Sequence, residues 1–177
     1  MSIVDHRKVI KYDKSAPEKI DFINNYLISN IDIPSMKVEH IGSSSVPGLG
    51  GKRVIDVMIA VGKNEMSIVV EKLHNLGHPF NSKQGTGTFE DRYFVSDDLD
   101  FHHEKIHVHF HITYFNSEDS IKTITFRNYL RNNKKEANHY FKLKKKWMRE
   151  SNYNLIEFTK SMFFNFFTLV EFYVTSD

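Results

Sequence analysis

Residues 54–61 read VIDVMIAV, and this stretch decides the fold. Seven of its eight residues are apolar, so a strand here is apolar on both faces except at Asp56. Such a strand belongs in the middle of a sheet with cover on each side. Alternation puts Asp56 with Met58 and Ala60, and Ile55 with Val57, Ile59 and Val61 on the opposite face. A carboxylate in that setting is costly unless it is paired or bound to a metal. Asp56 therefore points either to a salt bridge, with Arg53 or Arg92 as partner, or to a functional site.

Upstream, residues 36–41 (MKVEHI) read as a short strand, and residues 42–51 (GSSSVPGLGG) form a loop or tight turn. Further upstream, Ser15-Ala-Pro-Glu18 has the form of a capping box opening a helix of about residues 16–29. Downstream, Asn64 caps a helix of about 65–76 that ends at Gly77. Residues 89–95 and 105–113 read as strands, with the acidic run 97–100 in the connection between them. His74 and His78 read as helix-end residues. The last third is helical: Ser117 to about Arg131, Asn133 with Glu136 opening a helix to about 150, and a third helix of about 154–173. Phe158, Met162, Phe163, Phe166 and Phe167 make that last helix too aromatic for a solvent face. It reads as core or as a contact between copies in a homo-oligomer. The order predicts an α+β fold: one mixed β-sheet flanked by helices, with a helical C-terminal layer.

The 177 residues suit one domain over 1–177, which buries about 70% of its unfolded surface. Apolar residues make up 40% and charged residues 26%, so a mostly disordered chain is excluded. The absence of cysteine excludes disulfides, thiolate metal sites and a cysteine nucleophile. No apolar leader and no apolar run of about 18 residues is seen, so the expectation is a cytoplasmic protein with no membrane partner. The net charge is +2, but residues 122–149 hold ten basic residues against one acid. Lys142, Lys145, Lys146 and Arg149 fall on one helix face opposite Ala137, Tyr140 and Phe141, which is how a solvated surface helix looks. The same asymmetry also suits a phosphate-bearing partner.

Three sets of residues could carry chemistry. The glycines and serines of 42–45 can wrap a phosphate, although a structural turn has the same composition. Asp56 is the second. The third is His107-Val-His109-Phe-His111, whose imidazoles share one strand face. Those three positions span about 13 Å, so two adjacent members suit one ion better than all three. The alternative is a polar face with histidines bonded to carboxylates.

Together, Glu39-His40-Ile-Gly42-Ser43-Ser44-Ser45-Val-Pro-Gly-Leu49, Ile55-Asp56-Val57, His107-Val-His109 and Phe126-Arg127-Asn-Tyr-Leu-Arg131 resemble the signature blocks of the GrpB family, in the nucleotidyltransferase superfamily. Tyr12-Asp13 and His139-Tyr-Phe-Lys-Leu-Lys144 fit as well, so the resemblance covers almost the whole chain. The chain differs at Ser44, where the family usually has Thr, and at Asn128, where it has Asp. Gly50-Gly51-Lys52-Arg53 stands in place of Ala-Ala-Lys-Pro. The resemblance implies a nucleotidyltransferase-like fold in which the Gly42-Ser43 turn holds phosphates. Twelve residues on, a carboxylate pair at i and i+2 would hold Mg²⁺. Asp56 is the first of that pair; the second position is Met58, and His107 or His109 stands where a third carboxylate is expected. One carboxylate with two imidazoles suits Zn²⁺ or Mn²⁺ better than Mg²⁺.

The resemblance thus implies a catalytic and metal set of Asp56, His107 and His109. Phosphates would meet Gly42, Ser43, Ser44, Ser45, Arg127 and Arg131, with Glu39, His40 and Arg92 as further site candidates. Three functions compete. One is transfer of a nucleotidyl group. Another is binding of a nucleotide or phosphorylated small molecule without catalysis, which Met58 favours. The weakest is a nucleic-acid partner on the basic surface, because no aromatic stacking motif accompanies it.

Overall fold

The computed structural model describes residues 9–78 and 92–149, with side chains to 146. The expected helix over 154–173, and with it the proposed contact between copies, lies outside the described residues.

Strands β1 (Lys37–Ile41), β2 (Ile55–Val61), β3 (Arg92–Phe101) and β4 (Glu104–Tyr114) form one mixed sheet in the order β1-β2-β4-β3. β2 runs parallel to β4, and the outer strands are antiparallel to their neighbours. The 54–61 stretch is thus an inner strand beside 105–113, as its double apolar face requires.

Helices α1 (Ala16–Ile31) and α2 (Met66–Asn75) cover one face. There Ile23, Leu27, Ile31, Val69 and Leu73 pack on Ile55, Val57, Ile59, Val108, Phe110 and Ile112. The other face carries Asp56, Met58, His107, His109 and His111, together with Ser96 and Asp98 of β3. Above it lie the 42–51 segment, α3 (Glu118–Asn132) and α4 (Lys134–Arg149). Val46, Leu49, Leu130 and Ala137 form a smaller core there, with Phe126, Tyr129, Tyr140 and Phe141 at its margin. A polar sheet face is therefore roofed by a separate helical layer.

Four local expectations change. Ser15 holds the N-cap position of α1 but makes no capping box: Asp13 Oδ1 accepts from the Ser15 amide at 2.9 Å and from the Ser15 hydroxyl at 2.6 Å. A 3₁₀ turn over Lys63–Glu65 precedes α2, and Glu65 rather than Asn64 satisfies the chain there, accepting from the Gly62 amide at 2.7 Å. The acidic run 97–100 lies within β3, because Leu99 and Phe101 keep the inward alternation past it. The turn is His102-His103, both at positive φ, the geometry that joins antiparallel strands with least splay. His78, finally, is no simple helix end. It is buried, bonds Asp97 from Nδ1 at 2.7 Å and Tyr26 from Nε2 at 2.7 Å, and so ties α1 to β3. Ser117 caps α3 as expected, its hydroxyl accepting from the Ser120 amide.

Candidate functional site

The parallel register sets Asp56 level with His109, and Met58 level with His111. Asp56 Oδ1 lies 3.1 Å from His109 Nδ1 and 3.4 Å from His111 Nε2. Phe94 packs against both imidazoles, with ring centroids 5.0 Å away in each case, and so fixes their orientation. Ligand atoms of the three side chains lie within 4.8 Å of one another. Asp56 and His109 keep 24% and 25% of their side-chain surface exposed, so the cluster remains reachable from solvent. No arginine pairs with Asp56 among the described residues; Arg92 instead reaches Asp119 of α3 at 3.3 Å.

Electrostatics favour the metal-binding forms of Asp56 and His111. Burial opposes ionisation of Asp56, but hydrogen bonds from His109 and His111 outweigh it and hold the carboxyl well below its ordinary range. Burial pushes the His111 imidazole down against the opposing pull of Asp56, so it stays neutral. His111 Nδ1 is buried and has no hydrogen-bond partner among the described residues.

His107, expected beside Asp56, is engaged elsewhere. Its Nδ1 meets Asp98 Oδ1 at 2.6 Å and its Nε2 meets Ser96 Oγ at 3.1 Å. Both ring nitrogens are occupied, so the second imidazole at Asp56 is His111.

The Gly42–Ser45 turn stands directly against the cluster. Gly42 has φ +69, and a Cβ there would lie 2.2 Å from Asp56 Oδ2. Ser44 Oγ is 3.0 Å from His40 Nε2, and burial drives the His40 pKa down to about 4 despite the pull of Asp56. Ser45 Oγ donates to the Gly42 carbonyl at 2.7 Å. The two arginines brace this assembly. Arg127 donates to Glu39 Oε2 at 2.6 Å and to the His40 carbonyl at 2.9 Å, and Arg131 Nε donates to the Ser45 carbonyl at 2.9 Å. A small cleft at the turn is lined by Tyr12, Ser44, Lys52, Arg53, Lys105 and His107.

Lys144 belongs to the site and was passed over among the lysines of the basic segment. Lys142, Lys145 and Lys146 are exposed, but Lys144 is buried and donates to Ser43 Oγ at 3.0 Å. Burial lowers its pKa, with Asp56 pulling the other way. Tyr140 is half-buried near it, and desolvation pushes its hydroxyl pKa far up. The helical period held the signal: Lys144 continues the inward stripe of Ala137, Tyr140 and Phe141 at i+7.

A family model described as GrpB protein matches residues 6–165. The chain belongs to the GrpB family. A UPF0157 protein of Halalkalibacterium halodurans is 27% identical over 139 residues, covering 78% of this chain and 67% of that protein. A UPF0157 protein of Pseudomonas aeruginosa is 27% identical over 141 residues, covering 79% of this chain and 56% of that one. The chain thus spans only part of the length of these relatives. Among solved structures, the conserved protein GrpB from Enterococcus faecalis superposes with a TM-score of 0.69 at 25% identity, covering 89% of this chain and 96% of that one. The mixed sheet with flanking helices is therefore a GrpB fold. A Cβ on Gly50 would meet the Ile10 carbonyl at 2.4 Å and one on Gly51 would meet Ser43 Oγ at 2.2 Å, so the chain passes close to the turn here. Among the described residues no helix is long and apolar enough to cross a membrane.

Proposed function

We propose that this GrpB protein binds a nucleotide or another phosphorylated small molecule beside a single divalent transition-metal ion held by Asp56, His109 and His111. The observation that carries the reading is the contact of Gly42, in the Gly42–Ser45 turn, with Asp56, which sets the glycine-serine turn next to a metal-competent cluster. The donor set fits such an ion. It offers one ionised carboxylate and two imidazoles, a combination suited to Zn²⁺ or Mn²⁺ more than to Mg²⁺. A bound ion would supply Lewis-acid polarisation of a phosphoryl oxygen. The chain's own part is to hold the turn. Arg131 fixes the Ser45 carbonyl, Arg127 fixes the strand carbonyl at His40, and Ser43 and Ser44 present their hydroxyls.

Nucleotidyl transfer, the chemistry of the superfamily, is the second reading. The spacing of twelve residues between Gly42-Ser43 and Asp56 favours it. Against it, Met58 is 1% exposed where a second carboxylate would stand, and its cross-strand neighbour Glu39 is held by Arg127. Binding with one metal is therefore better supported than two-metal transfer.

A thermal-shift panel separates these readings. The protein is loaded with Mn²⁺ or Zn²⁺ and mixed with nucleosides, nucleoside mono-, di- and triphosphates, and inorganic pyrophosphate. A ligand at a hundred times its dissociation constant adds about 2.7 kcal/mol, a readily visible shift. Stabilisation by phosphorylated compounds alone, lost in Asp56→Asn, is the expected outcome. If no phosphorylated compound stabilises the loaded protein, the reading is wrong. Release of pyrophosphate from a triphosphate would instead establish transfer.

A further inference from the structure

We propose that Lys144 and Ser43 are the anchor for the ligand's phosphate, an assignment that rests on the phosphate-binding reading above and names the groups that hold the anion. Lys144 is 9% exposed, and among the described residues no carboxylate lies within ion-pair distance of it. Its ammonium has three donors, and among the described residues its one hydrogen-bond partner is the Ser43 hydroxyl at 3.0 Å. A buried ammonium with a single neutral acceptor is expensive, and nothing in the packing demands it. Methionine would continue the stripe of Ala137, Tyr140 and Phe141 at lower cost. The charge is thus retained against the interest of the fold, which is how a group built for a ligand behaves.

The geometry says where that ligand sits. Ser43 follows Gly42, and Gly42 touches Asp56 Oδ2, so the Lys144–Ser43 pair and the metal cluster are joined through one turn, and this is the wall a ligand would meet. A Cβ on Gly51 would lie 2.2 Å from Ser43 Oγ and 3.9 Å from Lys144 Nζ, so the backbone at 51 closes one side. The Tyr140 ring, 5.8 Å from the ammonium, lies on another. Asp56 cannot serve as the counter-ion, because its hydrogen bonds go to His109 and His111 and it lies beyond ion-pair range of Lys144. With a divalent ion at the cluster, the ion and Lys144 would together outweigh the Asp56 carboxylate by two charges. A phosphate dianion that meets the metal on one edge and Lys144 with Ser43 on the other restores the balance and fills the empty donors. The ligand class is a phosphate monoester or a polyphosphate end.

The test compares wild type, Lys144→Met and Ser43→Ala by calorimetric titration, first with Mn²⁺ and then with inorganic pyrophosphate in the presence of Mn²⁺, alongside the melting temperature of the metal-free proteins. Lys144→Met is expected to keep its Mn²⁺ affinity, to melt at or above wild type, and to lose about tenfold or more in pyrophosphate affinity. Ser43→Ala should lose several-fold with Mn²⁺ binding intact. Pyrophosphate affinity unchanged in Lys144→Met would overturn the assignment while leaving the phosphate reading standing. A wild type that binds no pyrophosphate even with Mn²⁺ would sink both. Should Lys144→Met fail to fold, Ser43→Ala decides: an unchanged pyrophosphate affinity there overturns the assignment.

Discussion

Gly42 and Asp56 are in direct contact: the hydrogen that stands in for a side chain on Gly42 points at Oδ2 of the carboxylate, with room for nothing larger. Turn and strand are thereby locked into one site, and the positive φ of Gly42 turns the chain from β1 into the serines.

Gly42→Ala should therefore be severe. With φ +69 and ψ −172 Gly42 holds a backbone conformation essentially confined to glycine, which costs an L-residue about 1–3 kcal/mol, and the overlap with Asp56 adds to it. The expected loss is about 2 kcal/mol or more in urea denaturation, together with weakened metal binding. Gly48→Ala is the comparison. Gly48 also has positive φ, but a Cβ there meets nothing within 4 Å, so the backbone cost should appear without any effect on metal. Equal behaviour of the two variants would show that contact with Asp56 is unimportant.

Metal selectivity and ligand identity can be read in one series. Zn²⁺ and Mn²⁺ should bind more tightly than Mg²⁺. His109→Ala, His111→Ala and Asp56→Asn should each weaken Zn²⁺ by about tenfold or more, the range seen for losing a supporting or direct metal contact. His107→Ala should leave it unchanged, because both its ring nitrogens serve Asp98 and Ser96. A large effect of His107→Ala with none from His111→Ala would reverse the assignment.

Acid should destabilise the metal-free protein in two stages. His40 falls from its ordinary 6.5 to about 4 in the folded state. Between those values the unfolded chain binds the extra proton, so stability declines as pH falls from about 6.5 toward 4. His111, also lowered, acts in the same direction. The folded Asp56 carboxyl lies below its ordinary value, so its contribution is present above about 3.8 and is lost as pH falls below that. Denaturation series at several pH values should show a shallower decline above pH 4 for His40→Gln. A decline identical to wild type would remove His40 from the account.

Arg127→Ala should cost about 2 kcal/mol, the scale of hydrogen bonds to a charged group, because Glu39 and the His40 carbonyl both lose their donor. Lys122→Ala, which removes an exposed pair with Glu118 on the same helix, should cost about 0.5 kcal/mol or less. Equal costs in chemical denaturation would show that Arg127 is no brace between α3 and β1.

Several features of the molecule were legible without coordinates. The 54–61 run fixed an inner strand, because a strand apolar on both faces is stable only when covered on both. Alternation set the three histidines on one face, and Ser117 announced the start of α3. The misreadings have a common origin. The Ser15 hydroxyl makes no capping box because it donates to Asp13, a carboxylate that Lys19 also holds, at 2.9 Å. The acidic run stayed in β3 because Leu99 and Phe101 had a core to enter, a fact about packing rather than composition.

For the site, the residue types and the spacing from Gly42 to Asp56 lay in the sequence. Which imidazoles meet Asp56 did not, because that depends on the parallel register of β2 and β4 and on Asp98 capturing His107 across the hairpin. Lys144 is the clearest case. Its periodicity marked an inward position, yet its charge argued for solvent, and only the packing of α4 over the 42–51 turn settled the conflict. Local chemistry is written along the chain; partners a hundred residues apart, such as Ser43 and Lys144, are chosen by the fold.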